Sequence, residues 1–151
     1  WQNRGTSFSL NSESPNFLTP GKKPFHTIHP AMALLNDGRL LVYGTMGGEG
    51  QPQTQAALFT RYVKFSQSLQ KAISAPRWSL GRTWGDETAK LRLENRFEPS
   101  VVSALELAGH EIEIVRDFDE IMGHAGAVVR DQNGIFQGAS DPRCDGAALG
   151  P

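Results

Sequence analysis

Ala31 to Leu35 and Arg39 to Tyr43 are two short apolar runs joined by Asn36-Asp37-Gly38. An Asp-Gly step between such runs accepts the positive φ values of a tight turn, so the pair is predicted to fold as a β-hairpin. That hairpin delivers the chain into Thr45-Met46-Gly47-Gly48-Glu49-Gly50-Gln51-Pro52, ahead of a segment patterned as a helix over 53–67. A glycine pair between a strand and a helix lets the backbone pack close and turn N–H groups outward. With a helix N-terminus behind them, such groups suit an anion or a developing oxyanion. The same residues also make a tight strand-to-helix turn that holds no ligand.

The rest of the pattern repeats this logic. Gly126 to Val129 and Ile135 to Gly138 flank Asp131-Gln132-Asn133-Gly134, a second hairpin. A short strand is expected at about 6–10, followed by a loop through Pro15, Pro20 and Pro24. Ala56, Phe59, Tyr62, Val63 and Ser66 share one face of the first helix. A shorter helix over 68–74 stops at Ala75-Pro76. Arg77 to Leu80 reads as a strand, with Trp78 and Trp84 as core or wall residues. Leu91 and Leu93 alternate with Arg92 and Glu94, and 111–115 alternates similarly; both read as strands with one wet face. Between them Pro99 to Leu107 forms a helix, with proline at its start and Gly109 just beyond its end. The fold class is therefore α+β, a mostly antiparallel sheet with helices packed on it, and residues 1–151 form a single domain.

Charge narrows the function. With 15 Lys and Arg against 16 Asp and Glu, the net charge is −1, not the basic balance of a nucleic-acid platform. No apolar run approaches the roughly 20 residues of a membrane helix. The lone Cys144 and the histidines 26, 29, 110 and 124 have no metal-ligand spacing, and no cofactor motif is expected. Trp1-Gln2-Asn3-Arg4 reads as a cut edge of a longer chain.

Four stretches in one order are similar to the γ-glutamyltranspeptidase family of N-terminal-nucleophile hydrolases. They are Pro20-Gly21-Lys22-Lys23-Pro24 with Pro30, Gly44-Thr45-Met46-Gly47-Gly48, Ala72 through Ala75-Pro76-Arg77, and Gly138-Ala139-Ser140-Asp141-Pro142-Arg143 with Asp145-Gly146-Ala147. The resemblance covers nearly the whole chain, as the C-terminal part of the small subunit. It implies a self-cleaving precursor, a four-layer αββα sandwich and a large-subunit partner from the same precursor. It also implies a new N-terminal threonine as nucleophile, its α-amine serving as base. By the resemblance Gly47 and Gly48 supply backbone N–H groups to the oxyanion. The threonine lies upstream of Trp1, and Thr6 matches a later, substrate-binding stretch, so this chain alone is expected to be inactive.

Departures from the family pattern bear on substrate. γ-Glutamyl enzymes of the family carry Asn-Asn-Glu/Gln-Met-Asp-Asp-Phe where this chain reads Gln2-Asn3-Arg4-Gly5-Thr6-Ser7-Phe8. Arg4 replaces the Glu/Gln and Ser7 the amine-binding aspartate. Arginine favours a carboxylate over an ammonium, although Arg4 also reads as a surface residue. The carboxylate-binding Ser-Ser is His26-Thr27 here. Thr27 keeps a hydroxyl donor, while His26 reads equally as a proton-exchanging group or as a packed loop residue. Both changes point to a small amide that keeps a carboxylate and lacks a glutamyl α-amine, as oxamate does. The combination resembles the oxamate amidohydrolase branch. The alternatives are a γ-glutamyl transferase or hydrolase acting on glutathione-like substrates, a glutaryl or cephalosporin acylase, and a non-catalytic binding domain. Gln51, Gln53 and Gln55 are expected at the pocket mouth, and Asp141, Arg143 and Asp145 in a charged loop that pairs internally.

Overall fold

The structure is a computed structural model and describes residues 5–24, 26–82 and 88–150. Among the described residues seven strands form two sheets. β1 (Ala31–Leu34), β2 (Leu40–Thr45), β6 (Ala125–Arg130) and β7 (Phe136–Ser140) lie side by side in that order, all antiparallel. β3 (Trp78–Leu80), β4 (Leu91–Glu94) and β5 (Ile112–Val115) form the second sheet, β3 antiparallel and β5 parallel to β4. The parallel step needs a crossover, and α3 (Pro99–Leu107) supplies it. Both predicted hairpins are present, Ala31 opposite Tyr43 and Gly126 opposite Ser140.

The pleat sends alternate side chains to opposite faces. One face of the larger sheet carries Leu41, Ala125, Ala127, Val129 and Ala139. These are buried against Leu58 and Tyr62 of the first helical segment and Leu69, Ala72 and Ile73 of the next. The opposite face carries Met32, Leu34, Val42, Val128 and Phe136, all exposed. It is also lined by Gly44, Gly126 and Gly138, which floor an apolar trough of about 520 Å³.

The first helix differs from its expected form. α1 (Gln51–Phe59) starts two residues early, with Pro52 in its first turn, and runs on as a wide turn with π-type bonding over Thr60–Lys64. The buried face is Thr54, Leu58 and Tyr62, with Phe59 and Val63 half-buried, whereas Ala56 and Ser66 are exposed. α2 (Leu69–Ser74) is capped by the Ser68 hydroxyl, which accepts from the Lys71 N–H at 3.3 Å. The expected strand at 6–10 is instead a turn of 3₁₀ helix at Gly5–Ser7 and a single bridge between Ser9 and Phe17. β4 is not half-wet. It lies between β3 and β5, and all four of its residues are buried, Arg92 and Glu94 included. Trp78 is 36% exposed, and Trp84 lies outside the described residues.

Candidate functional site

β2 pairs with β6 as far as Thr45, and the ladder closes with the Met46 N–H donating to the His124 carbonyl at 3.3 Å. The chain then turns sharply. Gly47 sits at φ 134°, ψ 28° and Gly48 at φ 52°, conformations that glycine adopts without a Cβ penalty. Gly47 is buried and Gly48 exposed. The Gly50 N–H donates to the Gly47 carbonyl at 2.9 Å and the Gln51 N–H to the Gly48 carbonyl, which starts α1 directly behind the turn. Among the described residues the N–H groups of Gly47 and Gly48 donate to no protein acceptor. Two adjacent unengaged donors at the head of a helix form a place for negative charge.

Each donor belongs to a planar peptide, so the carbonyl on its other side fixes its aim. The Gly47 N–H shares its plane with the Met46 carbonyl, which accepts the Thr45 hydroxyl at 2.6 Å. Gly123, at φ 77°, presses on the same oxygen. A Cβ there would meet Met46 O at 2.3 Å and Thr45 Oγ1 at 2.8 Å. A cleft of about 420 Å³ opens beside the turn between Met46 and Asp119, Glu120 and Ile121. Burial pushes the Asp119 carboxyl up, but the Ile121 N–H and the Arg116 guanidinium outweigh it and hold the group below the usual carboxylate range.

Gly123 is held in turn by a buried ionic network that sequence reading located only in part. Arg77 donates to the Gly123 carbonyl at 2.8 Å and the Met122 carbonyl at 3.2 Å, and pairs with Asp141 at 2.6 Å. Arg143 grips both oxygens of Glu94 at 2.6 Å and reaches Asp141 at 3.0 Å. Arg96 completes the set, 3.3 Å from Glu94 and stacked 3.6 Å over the Phe118 ring. Three guanidinium groups thus face two carboxylates, and the carbonyls at the C-terminus of α2 absorb the surplus. Ile73 O accepts from Arg77 and Arg143, Ser74 O from Arg96, and Ala75 O from Arg143. These carbonyls are the negative end of a helix. Burial, with Arg143 nearby, pulls the Arg77 pKa down to about 10. Burial pushes Asp141 up, but Arg77 and the N–H groups of Ala125 and Arg143 hold it below the ordinary range. Asp141 and Arg143 therefore do pair internally, as a buried structural element.

The expected substrate residues are distributed unevenly. Arg4 lies outside the described residues. Ser7 ends the first 3₁₀ turn, half-buried, its carbonyl accepting from Asn16 Nδ2 at 2.5 Å. His26 is exposed, with Nδ1 2.7 Å from the Ile28 carbonyl and 3.2 Å from the Ile28 N–H, the geometry of a loop-forming side chain. Thr27 is half-buried, and its carbonyl accepts from Gln51 Nε2 at 2.8 Å. The structure thus joins Thr27 to Gly48 and Gly47 through α1, and Ser7 stands outside that chain of bonds. The three glutamines each bond to backbone groups. Gln51 reaches Thr27, Gln53 brackets Leu80 through both its amide atoms at 2.8 and 2.9 Å, and Gln55 reaches the His29 carbonyl at 2.5 Å. Among the described residues no group of three or more His, Cys, Asp or Glu is placed to hold a metal ion.

The α+β scaffold matches what the sequence resembles. The chain fits the family described as gamma-glutamyltranspeptidase over residues 1–150, and it belongs to that family. It is 59% identical over 150 residues, 99% of its length, to the oxamate amidohydrolase proenzyme of Klebsiella pneumoniae. It is 49% identical over 149 residues to the glutathione hydrolase-like YwrD proenzyme of Bacillus subtilis. In each case it spans 28% of the relative. A variant of Helicobacter pylori gamma-glutamyltranspeptidase superposes with a TM-score of 0.73 at 25% identity, over 94% of this chain and 80% of that one. The architecture is that of an N-terminal-nucleophile hydrolase.

Proposed function

We propose that this chain is the C-terminal part of the small subunit of a self-processing amidohydrolase that cleaves a small carboxylate-bearing amide, oxamate or a near relative. In this reading a threonine from the polypeptide preceding residue 1 is the nucleophile, and its freed α-amine is the base. The hydroxyl adds to the amide carbonyl, and the oxygen that gains charge sits against the Gly47 and Gly48 amides. Collapse releases ammonia and leaves an ester, which water then hydrolyses to the free acid and the threonine hydroxyl. Thr27 and Arg4 hold the carboxylate, with Ser7 and His26 as further substrate-binding residues. His26 stands beside Thr27 on the substrate side, its Nδ1 engaged within its own loop. The large subunit of the same precursor is the partner, and no cofactor or metal enters the chemistry.

The observation that carries this reading is the direct joining of the Thr27 loop to the glycine turn, in a chain so similar to an oxamate amidohydrolase proenzyme. The likeness to a glutathione hydrolase-like proenzyme keeps γ-glutamyl chemistry as the second reading. The test uses the self-processed parent protein and measures ammonia from oxamate beside chromophore from a γ-glutamyl anilide. Oxamate turnover without anilide turnover is the expected result. Anilide turnover alone overturns the substrate assignment.

A further inference from the structure

We propose that Gln51 is a positioning residue that couples the loop bearing Thr27 to the oxyanion turn, so that seating the substrate carboxylate and aiming the glycine amides are one event. Gln51 is the first residue of α1 and only 6% exposed. Gly50, at the N-cap, has no side chain to offer, so the helix begins without a side-chain cap. Gln51 turns back over that end instead. Its Nε2 donates to the Thr27 carbonyl at 2.8 Å and to the Gly48 carbonyl at 3.2 Å.

A primary amide nitrogen carries two hydrogens, and these two acceptors use both. One atom thus ties a loop residue to a turn residue 21 positions away in sequence. The Gly48 carbonyl is held twice, by this side chain and by the Gln51 backbone N–H. Holding the Gly48 carbonyl fixes the peptide after Gly48, and the Gly48 N–H lies in the peptide before it, one Cα away at φ 52°, whose Gly47 carbonyl accepts from the Gly50 N–H next to Gln51. Gln55 lies one helical turn on and faces the same side. It holds the His29 carbonyl, so the loop from Thr27 to His29 hangs from one ridge of α1. Gln53 points elsewhere and serves β3, which makes it a natural control.

The chemistry of the residue matters as much as its reach. Glutamate at this place would set a carboxylate oxygen against two carbonyl oxygens, and methionine would fill the volume with no donor. Either loses the bond to the Thr27 carbonyl and leaves the Gly48 carbonyl with the Gln51 backbone N–H alone, worth about tenfold in an equilibrium or rate for each bond lost. The inference rests on the oxamate-type reading for its kinetic readout only.

The experiment uses the full self-processed protein with Gln51→Met and Gln51→Glu, and with Gln53→Met for comparison. Steady-state rates are measured on oxamate, and amide hydrogen exchange is followed without substrate at Ile28 and Gly50. Gln51→Met is expected to raise KM and lower kcat by about tenfold each and to speed exchange at Ile28 and Gly50 together. Gln53→Met is expected to leave KM, kcat and both exchange rates as they are while lowering the melting midpoint. Exchange that accelerates at only one of the two amides, or kinetic constants unchanged in Gln51→Met, would overturn the coupling. Should the unmutated protein not turn over oxamate, the substrate reading falls, and the paired exchange rates still decide the role of Gln51.

Discussion

Replacing Gly123 with alanine tests the oxyanion turn most directly, because the added methyl has one place to go. It would stand 2.3 Å from the Met46 carbonyl oxygen, whose peptide carries the Gly47 N–H. Opening that to an ordinary 3.4 Å contact displaces the oxygen by about 1.1 Å. The peptide is rigid, so the N–H swings with it. A misplacement of about 1 Å at a reacting centre costs on the order of 10²-fold in rate. That is close to the roughly 2.7 kcal/mol lost when one oxyanion donor is removed. The backbone at φ 77°, ψ 167°, a region essentially confined to glycine, adds about 1–3 kcal/mol of strain for any residue with a Cβ. The expected outcome for Gly123→Ala is a kcat for ammonia release from oxamate lowered about 100-fold, with KM little changed. Thr45→Val removes the hydroxyl that holds the same carbonyl without adding an atom, so it should fold normally and lose kcat by about tenfold. If Gly123→Ala is processed and keeps kcat within threefold of the parent, the Met46–Gly47 peptide does not aim a catalytic donor.

Two further outcomes follow from the ionic network. Glu94 is fully buried and accepts from Arg143, Arg96 and the Arg77 N–H, so Glu94→Gln should lose about 3–5 kcal/mol in urea unfolding of the processed protein. A loss below about 1 kcal/mol would place the pair among interactions of surface strength. Asp141 has a folded pKa below its ordinary 3.8, so its contribution is present above that value and drains away as pH falls through the lowered one. Asp141→Asn should therefore be less stable at neutral pH and show a flatter loss of stability between about pH 5 and pH 1, measured as melting midpoint against pH.

What could be read from sequence divides along the range of the interactions involved. Both hairpins were legible because a turn residue and two adjacent apolar runs carry the whole signal within about a dozen residues. The glycine turn was legible for the same reason. β4 was misread because alternating Leu and charged residues ordinarily mean one wet face, and fully buried charges are rare. Glu94 takes its two-armed partner from Arg143, 49 residues on, beside Arg96 and the Arg77 N–H, and no local pattern announces that distant arginine. The glutamines were legible as a cluster but not as staples, since their partners are backbone carbonyls of irregular loops. The extension of α1 into a wide turn left no mark either, as its residues are ordinary helix formers.

The ionic network also orders events in time. Its carboxylates and arginines come from positions 77, 94, 96, 141 and 143, and the residue that grips Glu94 with both arms is the last of them to be made. Until Arg143 emerges during synthesis, Glu94 has no bidentate partner and Arg77 lacks Asp141, so the segment behind the glycine turn cannot settle. A chain ending before residue 141 therefore lacks both Asp141 and Arg143, and is expected to leave Arg77 and Glu94 without these partners.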